Sequence, residues 1–420
     1  MAMSSCAVDL DGSEPESGPR RASRRAPLDR LRELEELGPR RLTGTETERR
    51  AQELLAGELE SLGFRTEWRA FRFSQSIYAA LMVHFGLAVL GTVLARWSLA
   101  AAALVHTFVV LSYTLESTRR GLLLRSLFPQ IHSQNLLATL PARASRRLRL
   151  VLLAHVDAAY TGILFSPALI KVATKQPPRG LGWFKKQLGL ALAALCVAIV
   201  LEALGALGVL SAPWWLLAAL TVPAFLTFVV NVDVVARDQV VPGAADNLSG
   251  CTGAAELAHR LVGTLPDDVE LVVVYTGAEE AGTGGALRLA QQIVRSGEWS
   301  PADTVVLGLD TLSNGALCYL EEGELWPIAV PADLEAAIMA TNAEVQGGGA
   351  HKYVIPTGAT DVLPFLVRGF RAATLTCIDP VIGAPRHYHH PTDTWSNVDP
   401  AQLDASIDYA ERLIRRLIRV

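Results

Sequence analysis

The sequence predicts an α/β domain, a mostly parallel mixed sheet with helices on both faces, into which two apolar helical hairpins are inserted. Continuous apolar runs at residues 148–154, 269–275 and 303–309 are typical of strands that are buried on both faces of such a sheet. Residues 249–263 and 285–297 have helical spacing and predict helices that cover the sheet. Longer uncharged runs, arranged as two pairs, predict the hairpins.

The N-terminal residues 1–26 are polar and rich in Ser, Pro and Arg, so we expect a disordered tail. They lack the apolar core of a signal peptide, so we expect the N-terminus to stay in the cytoplasm. Residues 28–63 predict a helix interrupted at "GPRRLTG", and "RTEWRAFRF" (65–73) alternates as a strand does. Residues 400–420 predict an amphipathic C-terminal helix.

The two predicted hairpins span residues 77–115 and 188–230. Each apolar run is about as long as a helix that crosses a bilayer. The first hairpin turns at Arg96, and the second is broken at "SAPWW", where Trp214 and Trp215 suit the aromatic belt of a membrane interface. Four helices buried in a large soluble core are the alternative.

Basic residues predict the orientation of the hairpins. The tips carry only Arg96, whereas the segment between the hairpins is basic. The basic residues of that segment are Arg119, Arg120, Arg125, Lys171, Lys175, Lys185 and Lys186. Positive charge marks the cytoplasmic side, which predicts a multi-pass protein of the cell (inner) membrane with its α/β domain in the cytoplasm.

Three ionisable residues lie inside the apolar runs: Glu202, His84 and His106. A charge at that depth is costly and is usually paired. We therefore expect Glu202 to contact one of the two histidines, and a neutral Glu202 near water is the alternative.

The overall composition excludes several classes of protein. The mild net charge of −4 implies no basic surface of the kind that binds nucleic acids. The five cysteines are widely spaced, and no two of them form a CxxC motif. This spacing argues against a disulfide framework. They are Cys6, Cys196, Cys251, Cys318 and Cys377.

Each of the three predicted buried strands ends in residues that bind metals. The strand at 148–154 leads to His155 and Asp157, the next leads to Glu279 and Glu280, and the third leads to Asp310. Sites form beyond the carboxyl ends of parallel strands, so these side chains should meet at one edge of the sheet. Two loops, "GAADNLSG" and "YHHPTDTW", add Asp246, His389 and His390.

Imidazole and carboxylate ligands without thiolates suit zinc. Two metals about 3.5–4 Å apart need a bridging carboxylate, and the attacking water needs an acid that is not a ligand. The stretch "YTGAEEAGTGG" therefore predicts that one glutamate binds metal while its neighbour acts as a general base.

These stretches resemble metallopeptidase family 28, the co-catalytic dizinc aminopeptidases related to glutamate carboxypeptidase and the glutaminyl cyclases. The resemblance lies in "GPRRLTG", "NLLATL", "AHVDA", "PGAADNLSGCTGAAELA", "YTGAEEAGTGGA", "LGLDTL", "GATDVLPF" and "YHHPTDTWSNVD", which occur in the family's order. They cover nearly all of the chain outside the hairpins. The resemblance implies two zinc ions, held by His155, Asp246, Glu280, Asp310 and His389.

Within that set, the resemblance implies that His155 and Asp310 hold one metal and that Glu280 and His389 hold the other. Asp246 then bridges the two metals. His389 is favoured over its neighbour His390 because the family's ligand stands four residues before the Asp of "DT", here Asp393.

The resemblance also implies roles for three acids that do not bind metal. Glu279 is the general base, and Asp157 orients the ring of His155. Asp361 in "GATDVLPF" lines the substrate pocket or, alternatively, caps a helix.

The implied activity is that of a membrane-anchored dizinc exopeptidase, an aminopeptidase whose partners are a peptide substrate and the lipid bilayer. A dizinc carboxypeptidase or amidohydrolase is one alternative, although "DN" follows Asp246 where that group has "D-x-K-G". A catalytically inactive, receptor-like relative is the other alternative.

The sequence departs from the soluble members of the family by about 90 residues between His155 and Asp246. We expect the catalytic metallopeptidase domain to consist of residues 27–73, 117–186 and 236–420, with the two hairpins inserted between these segments. Residues 160–186 should form a lip over a site near the membrane surface, and a hairpin that only anchors the protein is the alternative.

Overall fold

The computed structural model describes residues 25–174, 186–345 and 349–419. The predicted disordered tail therefore lies almost wholly outside the described residues. Eight strands and twelve α-helices make up the described chain. The strands are β1 (Arg65–Phe73), β2 (Ile131–Leu140), β3 (Leu148–His155), β4 (Val269–Thr276), β5 (Thr304–Leu309), β6 (Ala316–Glu321), β7 (His351–Val354) and β8 (Arg371–Ile378).

The eight strands form one mixed sheet in the order β1-β2-β4-β3-β5-β8-β6-β7. Its four central strands, β4, β3, β5 and β8, are parallel, whereas β1 with β2 and β6 with β8 are antiparallel. The three strands predicted from apolar runs are β3, β4 and β5. Because these three are parallel neighbours, their carboxyl ends lie side by side at one edge of the sheet.

The helices of the α/β domain cover both faces of this sheet. They are α1 (Pro27–Glu35), α2 (Glu46–Ser61), α5 (Pro167–Ala173), α8 (Ser249–Leu261), α9 (Gly284–Ser296), α10 (Ala332–Asn342), α11 (Leu363–Leu366) and α12 (Pro400–Leu417). Leu150 and Leu152 of β3 belong to the core beneath α8 and α12, whereas Val151 and Leu153 belong to the core beneath α9. This alternation buries β3 on both sides, as its apolar run predicts.

The remaining four helices form a separate bundle. They are α3 (Ile77–Leu94), α4 (Leu99–Ser117), α6 (Gln187–Ala206) and α7 (Trp214–Arg237), and all four are long and apolar enough to cross a membrane. The second predicted hairpin ends at Val230, but α7 continues to Arg237. Both hairpin tips lie at the same end of the bundle, because the Arg96 guanidinium stacks on the Trp214 ring at 4.1 Å.

The bundle exposes large apolar side chains on its outer surface. Leu104, Leu111, Val200 and Leu226 are each more than half exposed. Large exposed apolar patches on a protein mark contact with a membrane or another protein.

The interior of the bundle contains the predicted pair of ionisable side chains. His106 Nδ1 lies 3.0 Å from Glu202 Oε2, and both side chains are fully buried. This contact confirms the expected partnership of Glu202 with a histidine and joins α4 of the first hairpin to α6 of the second. His84 instead contacts Ser112 Oγ at 2.9 Å.

Three of the basic residues used to predict orientation, Arg119, Arg125 and Lys186, are buried. Arg119 donates to Glu324 at 2.6 Å and Arg125 donates to Glu116 at 2.7 Å, and all four side chains are buried. These arginines join the bundle to the domain and do not add free positive charge at its surface. Lys175 and Lys185 lie outside the described residues.

Candidate metal centre

The long insertion leaves and re-enters the domain at a single point. The Val241 amide donates to the Ala159 carbonyl at 3.0 Å, and the Thr161 amide donates to the Gln239 carbonyl at 2.9 Å. The chain therefore departs just after Asp157 and returns just before Asp246. As the sequence predicts, the insertion begins and ends beside predicted site residues.

The parallel strands bring the predicted ligands together. In the register of β3 with β4, His155 lies opposite Thr276, and the turn that follows Thr276 carries Glu279 and Glu280. Asp310 follows the end of β5 on the other side of β3. Asp246 lies in the buried loop that precedes α8.

Asp246 lies between the two predicted histidine ligands. Its Oδ1 is 3.3 Å from His155 Nε2, and its Oδ2 is 3.3 Å from His389 Nε2. His389 Nε2 is also 3.4 Å from Glu280 Oε2, while His155 Nε2 is 4.0 Å from Asp310 Oδ2. All five side chains that the sequence predicts as ligands therefore lie in one cluster.

The donor set and its spacing fit zinc. Two atoms that bind zinc at about 2.0–2.1 Å with a tetrahedral angle lie roughly 3.3–3.4 Å apart, which matches three of the distances in the cluster. Ligand atoms of His155, Asp246 and Glu280 all lie within 4.8 Å of one another. Glu280 Oε1 is buried and has no hydrogen-bond partner among the described residues, so it is free to bind a cation.

The electrostatics of the cluster also call for a cation. Burial raises the pKa of the Asp310 carboxyl to about 7, and the neighbouring Asp246 carboxylate acts in the same direction. Burial likewise raises the pKa of Glu279 well above its ordinary value. Burial disfavours the charged form of His389, but the Glu280 and Asp246 carboxylates raise its pKa to about 10. Bound cations would relieve this crowding of buried acids.

Asp157 contacts the ring of His155 through its main chain, and its carboxylate has another partner. The ring is oriented by the main chain, because His155 Nδ1 lies 3.0 Å from the Asp157 carbonyl oxygen and 3.7 Å from the carboxylate. The carboxylate accepts the backbone N–H groups of Glu279 and Glu280, each at 3.0 Å. Its position at the strand end therefore lets it fix the turn that carries both glutamates.

Two further side chains, not assigned roles from the sequence, fix the Asp246 loop. The Asp393 carboxylate accepts the backbone N–H groups of Ala245 at 2.8 Å and Asp246 at 3.1 Å. Asn247 Oδ1 accepts the backbone N–H of Thr311 at 3.0 Å. These contacts set Asp246 relative to both the His389 loop and the end of β5.

His389 is surrounded by aromatic residues that the sequence does not single out. Tyr78 at the start of α3 places its hydroxyl 3.1 Å from His389 Nδ1. The Phe165 ring lies 4.5 Å from the His389 ring, centroid to centroid, and the Tyr388 ring lies at 3.9 Å. In the sequence, only the position of Tyr78 and Phe165 beside the inserted segments could have indicated that these residues lie near the site.

His390 and Asp361 lie outside the ligand cluster. His390 Nδ1 contacts Thr392 Oγ1 at 2.8 Å. Asp361 accepts a hydrogen bond from Thr276 Oγ1 behind the cluster, and its Oδ1 is buried without a partner among the described residues. Asp361 does not cap α11, whose N-terminus has no side-chain cap, so the helix-cap alternative is wrong. It is also not among the residues that line the cavity described next.

A cavity of about 250 Å³ opens onto the cluster. Asp246, Glu279, Glu280, Asp310 and His389 form its polar end. The described part of the predicted lip, residues 160–174, contributes Leu164, Phe165 and Ile170 to the wall. Residues 175–185 of that lip lie outside the described residues.

The fold is shared with known enzymes. A glutaminyl cyclase from Fimbriiglobus ruber superposes with a TM-score of 0.52 at 15% identity, covering 97% of each chain. An aminopeptidase from Aneurinibacillus sp. strain AM-1 gives 0.53 at 14% identity over 92% of each chain. BSAP, a zinc aminopeptidase from Bacillus subtilis, gives 0.53 at 13% identity over 93% of this chain and 94% of the other.

Residues 227–414 match the model of peptidase family M28. This segment contains Asp246, Glu279, Glu280, Asp310 and His389, whereas His155 precedes it. No curated protein matches the chain. The comparisons show that the chain shares its fold with these enzymes and that residues 227–414, a little under half of the chain, are similar to peptidase family M28.

Proposed function

We propose, from the peptidase family M28 match and the geometry of the cluster, that this chain is a membrane-anchored two-zinc exopeptidase that acts as an aminopeptidase. The observation that carries the proposal is the position of Asp246, whose two carboxylate oxygens each lie 3.3 Å from a different histidine. A carboxylate with one oxygen toward each of two histidines is suited to bridge a pair of metals.

The remaining ligands divide according to their distances from the two histidines. Asp310 lies near His155, and Glu280 lies near His389. We assign His155 and Asp310 to one zinc, Glu280 and His389 to the other, and Asp246 to both. Zinc bound there would supply the Lewis acid that polarises the scissile carbonyl and activates the attacking water.

Glu279 is the side chain available for proton transfer. Its Oε2 lies 3.9 Å from His155 Nε2, and the carboxylate lines the cavity without a hydrogen bond that ties it down among the described residues. It accepts the proton of the attacking water and returns it to the leaving amine. The Asp157 carboxylate holds the backbone on which Glu279 and Glu280 stand, so that the two side chains serve different tasks.

The four apolar helices support the membrane part of the proposal. Their exposed apolar side chains suit lipid, and the tip residues Trp97 and Trp215 are exposed where an interface would lie. The cytoplasmic placement of the domain is inferred from the basic segment between the hairpins, of which Arg120 and Lys171 are exposed. Peptides would therefore meet the site beside the inner face of the membrane.

The decisive experiment combines metal analysis with peptide digestion. The full-length protein, purified in detergent, should bind about two zinc ions per chain and release N-terminal residues one at a time from a peptide library. Glu279→Gln should abolish turnover and retain zinc, because the base is not a ligand. The matched control is Glu53→Gln, an exposed glutamate of α2, which should change neither property.

Other outcomes point to specific alternatives. A protein that binds no metal and hydrolyses nothing would be the receptor-like relative. Release of C-terminal residues would indicate a carboxypeptidase, and cyclisation of an N-terminal glutaminyl peptide would indicate the chemistry named for some of the structural neighbours. Each of these results would replace the aminopeptidase assignment.

A further inference from the structure

The catalytic cavity is not enclosed by the α/β domain alone. Beyond its polar end, the wall includes residues of all four helices of the bundle: Leu81 of α3, Tyr113 of α4, Leu188 of α6, and Val230 and Asn231 of α7. Thr227, one turn earlier on α7, belongs to the same wall. The cavity therefore connects the candidate metal centre to the interior of the apolar bundle.

The helical part of the wall lies on the uncharged sections of these helices. From Trp214 to Val232, α7 has no charged residue, and Asp233 is the first. At about 1.5 Å per residue, Thr227 lies about 15 Å before the end of α7 at Arg237. The rest of the wall lies at the domain-facing end of the bundle, where Val230 is three residues before Asp233 and Leu188 is the second residue of α6.

The chemistry of this wall suits an aliphatic chain. Leu81, Leu188 and Val230 present only hydrocarbon, and the Tyr113 hydroxyl already donates to Glu324 at 2.9 Å. Asn231 Nδ2 donates to the Thr227 carbonyl at 2.7 Å. Arg119 and Glu324 also line the cavity, and their charges are paired with each other at 2.6 Å. Asn231 Oδ1 is buried without a partner among the described residues and can accept an N–H of the substrate.

The size of the cavity limits what can enter. A volume of about 250 Å³ lies just below the range of about 300–1,000 Å³ that is typical of sites for small molecules. This space holds one residue with a long side chain near the carboxylates, and it is too small for a folded segment or a second helix.

We propose that the part of the cavity between α3, α4, α6 and α7 binds a long, unbranched aliphatic side chain on the first residue of an amphiphilic peptide. The membrane helices thereby act as the specificity pocket of the peptidase and select substrates that partition into the bilayer. This inference rests on the proposed aminopeptidase activity and adds the substrate class.

The test uses the full-length zinc-loaded protein in lipid nanodiscs. The substrates are fluorogenic amides of 2-aminobutyric acid, norleucine, 2-aminooctanoic acid and 2-aminodecanoic acid. We expect kcat/KM to rise up to threefold or fourfold for each methylene that becomes buried, until the chain fills the space. A maximum at the shortest side chain, with hydrolysis of that substrate intact, would overturn the inference and leave the aminopeptidase proposal standing. Absence of hydrolysis of every amide would overturn both.

Neighbouring residues of α7 provide a matched pair of variants. Val230→Trp fills the pocket. We expect it to lower kcat/KM for the 2-aminodecanoic amide, relative to kcat/KM for the 2-aminobutyric amide, by at least tenfold. Val229→Trp places the same ring on the exposed side of the helix and should leave that ratio within twofold of the parent's. Equal ratios in the two variants would contradict the pocket.

A variant that enlarges the pocket guards against misfolding of Val230→Trp. Leu81→Ala should move the preferred side chain to a longer one, and an unchanged preference would count against the inference. Free decanol distinguishes a substrate chain from a resident lipid. We expect decanol to inhibit hydrolysis of the 2-aminodecanoic amide competitively. If the pocket is instead filled by lipid, neither decanol nor chain length will matter, and the inference fails.

Discussion

The hydroxyl of Tyr78, on the first apolar helix, lies 3.1 Å from Nδ1 of His389, the predicted metal ligand farthest along the chain. The inserted helix therefore takes part in building the candidate metal centre. A ligating histidine usually passes its second ring N–H to an acceptor that fixes its tautomer and orientation. Here a residue of the bundle makes that contact, while Phe165 and Tyr388 hold the ring on its faces.

We predict that Tyr78→Phe lowers zinc affinity about 10- to 100-fold, because it removes the hydroxyl and keeps the packing of the ring. Competition with a chelator of known affinity measures the loss without reference to turnover. The control is Tyr160→Phe. The ring of Tyr160 lies 6.3 Å from the ring of Tyr78, centroid to centroid, and its hydroxyl does not hydrogen-bond a predicted ligand among the described residues. Equal zinc affinity in the parent and in Tyr78→Phe would show that the contact does not support the site.

We predict that Asp157→Asn loosens the glutamate turn but leaves zinc binding by His155 intact. The amide nitrogen of asparagine cannot accept a hydrogen bond, so the N–H of Glu279 or Glu280 loses a charged acceptor, worth about 1.5–3 kcal/mol. Thermal unfolding should show the lower stability, and kcat should fall while zinc content is retained. A loss of zinc without a change in stability would instead favour orientation of His155 by the carboxylate.

We predict strong coupling between His106 and Glu202 in the bundle. Glu202→Leu leaves His106 Nδ1 without its partner at 3.0 Å, and His106→Leu leaves Glu202 without one, so each single variant is destabilised by about 1–3 kcal/mol. The double variant should be less destabilised than the sum, with a coupling of about 0.5–3 kcal/mol. Unfolding in detergent measures all three, and Val200→Ala on the exposed face of α6 is the control. Additive losses would mean that the two side chains act independently.

We predict that the hairpin tips and the α/β domain lie on opposite sides of the membrane. In a variant without native cysteines, Trp97→Cys at a tip should react with a membrane-impermeant maleimide applied to whole cells. Asp404→Cys, on the exposed side of α12, should react only after the cells are broken. The reverse pattern would place the domain outside, and labelling of both in whole cells would exclude a membrane-spanning bundle.

The sequence by itself determined the main elements and which predicted ligands come together at the strand ends. Apolar runs identified β3, β4 and β5, and uncharged runs identified the four helices of the bundle, because burial imposes a local pattern on each element. The convergence of His155, Glu280 and Asp310 was also predictable, since parallel strands place their carboxyl ends at one edge. Glu202 could be matched to a histidine because a buried charge must have a partner.

Only the tertiary structure decided which distant groups touch. Tyr78 and His389 are 311 positions apart, and no periodic pattern records that contact. The sequence could not show whether the Asp157 carboxylate orients the His155 ring or holds the glutamate turn. Both roles require the same side chain at the same strand end. The extension of the cavity between Leu81 and Val230 likewise follows from how the bundle packs on the domain. Local burial patterns specify helices and strands, whereas the choice of partners depends on side-chain packing between elements far apart in the chain.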